Sequence, residues 1–224
     1  TSAAGDPGQY DYDEENADSV TVYVTVSNDG VPIRGKDGTI LCHKAITVPY
    51  FALSRYDMPE FYRFHTANGE GEYVDENIVE RPTGLHLYLY LLERYFIGLP
   101  EEECGKGKYT RSDLEGFILR DDVLYMDEET AYTADTLAAL KITGSPTSLY
   151  MANFWGHDEN LMYYRNHCYP YMSPGWGSTS DYIVLSDGDT WDVAMFSNWS
   201  FYSSGGAFTR FDKDAYNARP GMEM

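Results

Sequence analysis

The sequence is poor in basic residues, in cysteine and in unbroken apolar stretches, and each shortage excludes a class of function. Sixteen Lys and Arg stand against 36 Asp and Glu, for a formal charge of -20. Such a field repels phosphate backbones and anionic headgroups, so nucleic acid and acidic membrane surfaces are not expected partners. No uncharged apolar run approaches the ~20 residues that a spanning helix needs, so no membrane insertion is expected. Cys42, Cys104 and Cys168 are far apart and form no C-x-x-C pair. At most one bridge is available, and neither a zinc knuckle nor a disulfide framework is signalled. The G-x-S-x-G, H-E-x-x-H, P-loop and G-x-G-x-x-G patterns are missing, and the five histidines are scattered. No catalytic residue, metal ligand or cofactor is therefore assigned, and the chain reads as a binding protein rather than an enzyme.

What is present in quantity is aromatic: 21 Tyr, 10 Phe and 4 Trp, or 16% of the 224 residues. A chain so endowed folds. The exception is residues 1–18, with six acids, no base and almost no aliphatic side chain, which read as an acidic disordered leader. From Ser19 the pattern is that of one α+β domain over 19–211, built of antiparallel sheets with a few helices. Residues 212–224 read as a linker to a following domain.

Val20, Val22, Val24 and Val26 alternate with polar or Tyr residues and predict a half-buried strand. Thr39 to Val48 predicts its partner, with Ile40, Cys42, Ile46 and Val48 on one parity. Thr83, with Leu85, Leu89, Leu92 and Phe96 behind it and Gly98 and Pro100 beyond, predicts a capped helix. A capping box at Ser112 and Glu115 predicts a short helix through Leu119, and the small-residue face of Glu129 to Leu140 a third. Residues 101–140 therefore read as largely helical. Asp121, Asp122, Asp127, Glu128 and Glu129 read as a solvated charge run, and Asp187-Gly188-Asp189 as a hairpin turn.

All four tryptophans lie in the last third, among short strand candidates separated by Gly, Pro and Asp. A sugar ring has apolar C–H faces and a rim of hydroxyls, so glycan binders pair exposed aromatic faces with Asp, Asn or His. A desolvated aromatic side chain supplies about 1.5–3 kcal/mol. Asn153-Phe-Trp-Gly-His-Asp158 and Tyr169-Pro-Tyr-Met-Ser-Pro-Gly-Trp-Gly177 have that make-up. Trp155, Trp176 and Tyr171 are the candidate stacking rings, and Asn153, His157 and Asp158 the candidate hydroxyl partners. Trp191, Trp199, Tyr163, Tyr164 and Tyr182 fall on strand positions and read as core. Should the loop rings be core, the reserve surface is Tyr88, Tyr90 or Tyr95, or the irregular segment 49–81. A neutral polysaccharide or oligosaccharide tolerates the negative charge, and angled loop-borne rings suit a helical α-glucan such as starch. The competing reading is a structural spacer or protein-binding adhesin domain indifferent to glycans.

Asn160-Leu-Met-Tyr-Tyr-Arg-Asn166, Tyr169-Pro170 and Ser180-Asp-Tyr-Ile-Val-Leu-Ser-Asp-Gly-Asp189, in that order, resemble the transcobalamin C-terminal-like domain family. Thr21 to Val26 and the helix at Thr83 to Phe96 are similar to that family's first strand and helix, and against that pattern residues 101–140 look like a helical insertion. The resemblance implies a small α+β domain that binds or presents, carried in a larger multidomain protein on the surface of a Gram-positive gut bacterium, and thus extracellular. Cobalamin carriers need a partner α-helical barrel, which is not in this sequence, so cobalamin is not expected as a ligand.

Overall fold

Ten residues from Ser19 to Asn28 form the strand β1 around which the molecule is organised, in a computed structural model. The structure describes residues 15–60, 76, 78–120, 123–126, 137–138, 140–145, 148–158, 161–166, 171–173, 176–177 and 183–195. Residues 1–14 of the acidic leader, the stretch 212–224 read as a linker, Cys168, Tyr182 and Trp199 lie outside them. The architecture is α+β, with two short α-helices among the described residues and several sheets whose pairings are mostly antiparallel.

On one side β1 pairs antiparallel with β2 (Val31–Pro32) and β3 (Lys44–Pro49). On the other it pairs parallel with β13 (Thr190–Met195), from Tyr23 opposite Thr190 to Asn28 opposite Met195. Outside β13 lies β10 (Leu161–Arg165), antiparallel to it. Parallel neighbours require a long crossover connection. Here it passes through α1 (Gly84–Leu91), which is enclosed along its whole length: every residue from Gly84 to Leu91 is buried. Tyr88 of α1 meets Trp191 of β13 and Tyr163 of β10 edge-on, at ring-centroid distances of 5.8 and 6.3 Å.

The half-buried reading of β1 holds only for its first half. Thr25 and Ser27 are as fully buried as Val24 and Val26. The parallel partner explains the change, because Asp192 and Ala194 lie opposite Thr25 and Ser27 and are buried with them. Enclosure on both faces is the usual condition of parallel strand pairs. The predicted partner strand is also displaced. It starts only at Lys44, while Ile40 and Cys42 are exposed and Leu41 is buried. His43 has a left-handed backbone, φ 46°. That breaks the period-two alternation between Cys42 and Ile46.

The predicted helix at Thr83 forms and changes character at Leu92. Residues Leu92–Ile97 make a π-helical turn closed by Gly98 in the left-handed conformation. At its start, His86 Nδ1 accepts from the Thr83 backbone N–H at 3.0 Å and lies 2.9 Å from Thr83 Oγ1. Nε2 therefore carries the ring proton and donates to the Phe51 carbonyl at 2.8 Å. Burial holds this imidazole neutral, its pKa pushed down to about 4.

The middle of the chain departs further from prediction. The capping box sits at Thr110 and Asp113, not at Ser112 and Glu115, and α2 covers only Arg111–Gly116. Phe117–Arg120, called helical through Leu119, is the strand β4, paired with β5 (Val123–Met126) and β6 (Leu137–Ala138). The described end of the predicted third helix is likewise extended, in β6 and in β7 (Leu140–Ser145). Register with partners distant in sequence overrides local helix preference there. The residues 121, 122 and 127–129 of the acidic run lie outside the described ones.

Asp187-Gly188-Asp189 is a turn, but it joins no antiparallel pair. It hands the extended segment Ile183–Leu185, bonded to Pro82 and Gly84, to β13. Asp187 Oδ1 accepts from the Thr21 amide at 2.7 Å, ahead of the parallel pairing. Asp189 is buried and accepts from Arg165 Nε, Asn166 Nδ2 and the Ser186 amide, each at 2.9 Å. Residues 15–18 of the acidic leader are tied to this frame, through Arg81 Nη1 to the Glu15 carbonyl and the Ala17 amide to the Glu80 carbonyl.

Two outcomes follow for stability. Asp189→Ala leaves the buried Arg165 guanidinium without its carboxylate and is expected to lower unfolding free energy by about 3–5 kcal/mol in urea titration. His86 has a folded pKa below its unfolded value of 6.5, so the unfolded chain takes up the proton first as pH falls. The stability contributed is whole above about pH 6.5 and declines towards pH 4, by roughly 3 kcal/mol in all. His86→Asn is expected to abolish that part of the pH dependence, measured as the difference between the two unfolding curves across that range.

Candidate functional site

Four of the six candidate residues stand on one hairpin. The strand β8 (Ser148–Phe154) pairs antiparallel with β7 on one side and with β9 (His157–Asp158) on the other. Asn153 lies opposite Asp158, and Phe154 opposite His157, so a two-residue turn of Trp155 and Gly156 closes the hairpin. The hairpin is fixed from below. Glu115 of α2 accepts from the Ile142 amide of β7 at 3.3 Å, and Arg111 Nη2 donates to the Ile142 carbonyl. Leu140, Ile142, Leu149, Met151 and Phe154 are buried in the same apolar cluster as the central sheet and α1. Phe154 also meets the Tyr88 ring at 5.8 Å.

Both turn residues have positive φ, 56° at Trp155 and 76° at Gly156. Left-handed backbone at both central positions is the conformation whose twist suits a two-residue hairpin, and it favours Asn-Gly. A bulky aromatic residue there is an outlier, carried at a cost of about 1–3 kcal/mol. Part of that cost is offset by packing: the indole stands edge-on to Phe96 of the π-helical turn at 4.9 Å and tilted against Phe154 at 5.5 Å. Trp155 is thus half-buried, supported by the core and partly open to solvent, between the free platform and the sealed ring that its sequence allowed. Asn153 and His157 are half-buried beside it.

Tyr171 and Trp176 share a second hairpin, in which β11 (Tyr171–Ser173) pairs with β12 (Trp176–Gly177). The side chains of Tyr171, Trp176 and Asp158 lie outside the described ones. The core assignments for Trp191 and Tyr164 match their complete burial, and Tyr163 packs against the core, stacked on Trp191 at 6.2 Å. Of the reserve surface, Tyr88, Tyr90 and Tyr95 are all buried within or behind the enclosed helix, and residues 61–75 and 77 of the segment 49–81 lie outside the described ones. Every residue of α1 is buried, so it presents no exposed face for them.

One exposed aromatic was overlooked. Tyr23, 37% exposed, stacks on His43 with ring centroids 5.0 Å apart and planes within 14°. Its position at the non-core parity of the valine strand was the available clue. Among the described residues no group of three or more His, Cys, Asp and Glu side chains is placed to hold a metal ion. Cys104 is buried, with its thiol pKa pushed up to about 12 chiefly by burial, which makes it unreactive.

Comparison of the chain with protein-family models, with curated proteins and with solved structures finds no match.

The turn geometry gives a direct test. Gly156→Ala places a Cβ on backbone with φ 76° and is expected to cost about 1 kcal/mol. A lowered urea midpoint at unchanged slope would show it, and an unaltered midpoint would contradict the left-handed turn.

Proposed function

We propose that this chain is a non-catalytic carbohydrate-binding domain of a bacterial cell-surface protein, with Trp155 as the principal stacking ring and a starch-like α-glucan as its ligand. The observation that carries the reading is the half-buried indole held on left-handed backbone at a hairpin tip. Backbone strain of this kind persists where the surroundings over-determine it and concentrates at ligand-binding positions. The Phe96 contact fixes the ring before a ligand arrives, so little rotamer freedom is lost on binding. Asn153 and His157 are amide and imidazole groups on the same hairpin, able to donate to and accept from sugar hydroxyls. A neutral polymer carries no charge for the -20 field to repel. Tyr171 and Trp176, on their own hairpin, are proposed to extend the contact along the glycan.

Isothermal titration with maltooligosaccharides tests this. Trp155→Ala is expected to weaken binding by roughly 10- to 150-fold, the equivalent of about 1.5–3 kcal/mol of ring burial. Absence of heat from the unaltered chain at millimolar ligand would remove the glycan reading and leave the spacer or adhesin role.

A further inference from the structure

Glu93, the second residue of the π-helical turn, is fully buried, with no cationic partner among the described residues. Its Oε1 accepts from Tyr56 Oη at 2.7 Å and from the Gly105 amide at 3.2 Å. Its Oε2 finds no hydrogen-bond partner among the described residues. One carboxyl oxygen therefore joins three pieces of chain remote in sequence: the π-helical turn, the 3-10 turn Leu53–Tyr56, and the loop that follows Glu101–Glu103. That loop is seated closely on the 3-10 region. A Cβ at Gly105 would stand 2.7 Å from the Phe51 ring, and one at Gly107 2.8 Å from the Arg55 carbonyl oxygen. Arg55 Nη1 donates to the Gly105 carbonyl at 3.0 Å.

We propose that Glu93 is a proton-operated latch: protonated, it holds the Cys104–Gly107 loop against the Tyr56 turn, and on losing its proton it releases that loop. Every group that faces it bears on the sign. From the 3-10 turn come the neutral Tyr56 hydroxyl and Arg55, whose cation is committed to the Gly105 carbonyl. The loop contributes the neutral Cys104 thiol, and the 3-10 turn that precedes it carries the acids Glu101 and Glu103. Arg94 follows Glu93 in its own turn and pairs with Asp37 at 3.3 Å. A carboxylate here would thus be buried with two neutral donors and an unpartnered oxygen, a costly arrangement. Burial accordingly raises the Glu93 pKa above its ordinary 4.5, with the Tyr56 and Gly105 hydrogen bonds opposing. A raised folded pKa means that stability from this group is whole below about pH 4.5 and is lost as pH rises towards the folded value.

Amide hydrogen exchange at Gly105, corrected for the intrinsic rate, reads the latch in the unaltered chain. Protection is expected to fall by up to about tenfold per pH unit between 4.5 and the raised Glu93 value, then level off. Glu93→Gln keeps the Oε1 acceptor and cannot ionise, so its Gly105 protection should stay flat, and its stability relative to the unaltered chain should grow as pH rises. Gly105 protection independent of pH in the unaltered chain would overturn the proposal whether or not the variant folds. So would a stability difference between the two chains that does not change with pH. Neither measurement involves a glycan, so this proposal and the carbohydrate reading stand or fall separately.

Discussion

The parallel pairing of β1 with β13 is the constraint on which the rest of the structure depends. It brings the first described strand against the last, and it can be satisfied only by a connection that leaves the sheet and returns. The enclosed helix α1 lies on that connection, and its sequence, apolar or aromatic on every side except His86, suits burial all round. Because both faces of the central pair are covered, polar side chains at Thr25, Ser27 and Asp192 are taken out of water with the valines. The Asp189 carboxylate, with its guanidinium and two further donors, secures the entrance to this pairing.

Elements whose sidedness is local could be read in advance. The valine alternation gives β1, and Thr83 with Gly98 brackets the helix, because caps and period act within a few residues of one another. Elements whose conformation is decided by a distant partner could not. Phe117–Leu119, Leu137–Ala138 and Leu140 satisfy a helical pattern equally well, and only pairing with strands elsewhere makes them extended. The displacement of β3 comes from a single residue, His43, whose left-handed backbone no composition rule announces.

The candidate site was legible as composition and not as shape. Asn153, Trp155, His157 and Asp158 were grouped correctly, yet as a loop, whereas they form a tight hairpin. Gly156 hinted at the turn, but Trp is a poor occupant of the position before it, so the clue pointed away from the observed geometry. Phe96 was placed on the helix as one more apolar residue. That it is also the prop beneath Trp155 needed the tertiary structure. Glu93 was wholly invisible, since an acid between two core positions of a helix is ordinarily solvent-facing.

The direction of the two central strands has a mechanical corollary. β1 runs from Ser19 and β13 runs to Met195, side by side and pointing the same way. Tension applied at those two residues pulls the strands past each other lengthwise, so all six registered pairs from Tyr23–Thr190 to Asn28–Met195 share the load at once. An antiparallel pair pulled from adjacent ends would instead unzip one rung at a time. A chain anchored at one side and towed from the other through these strands is loaded in shear.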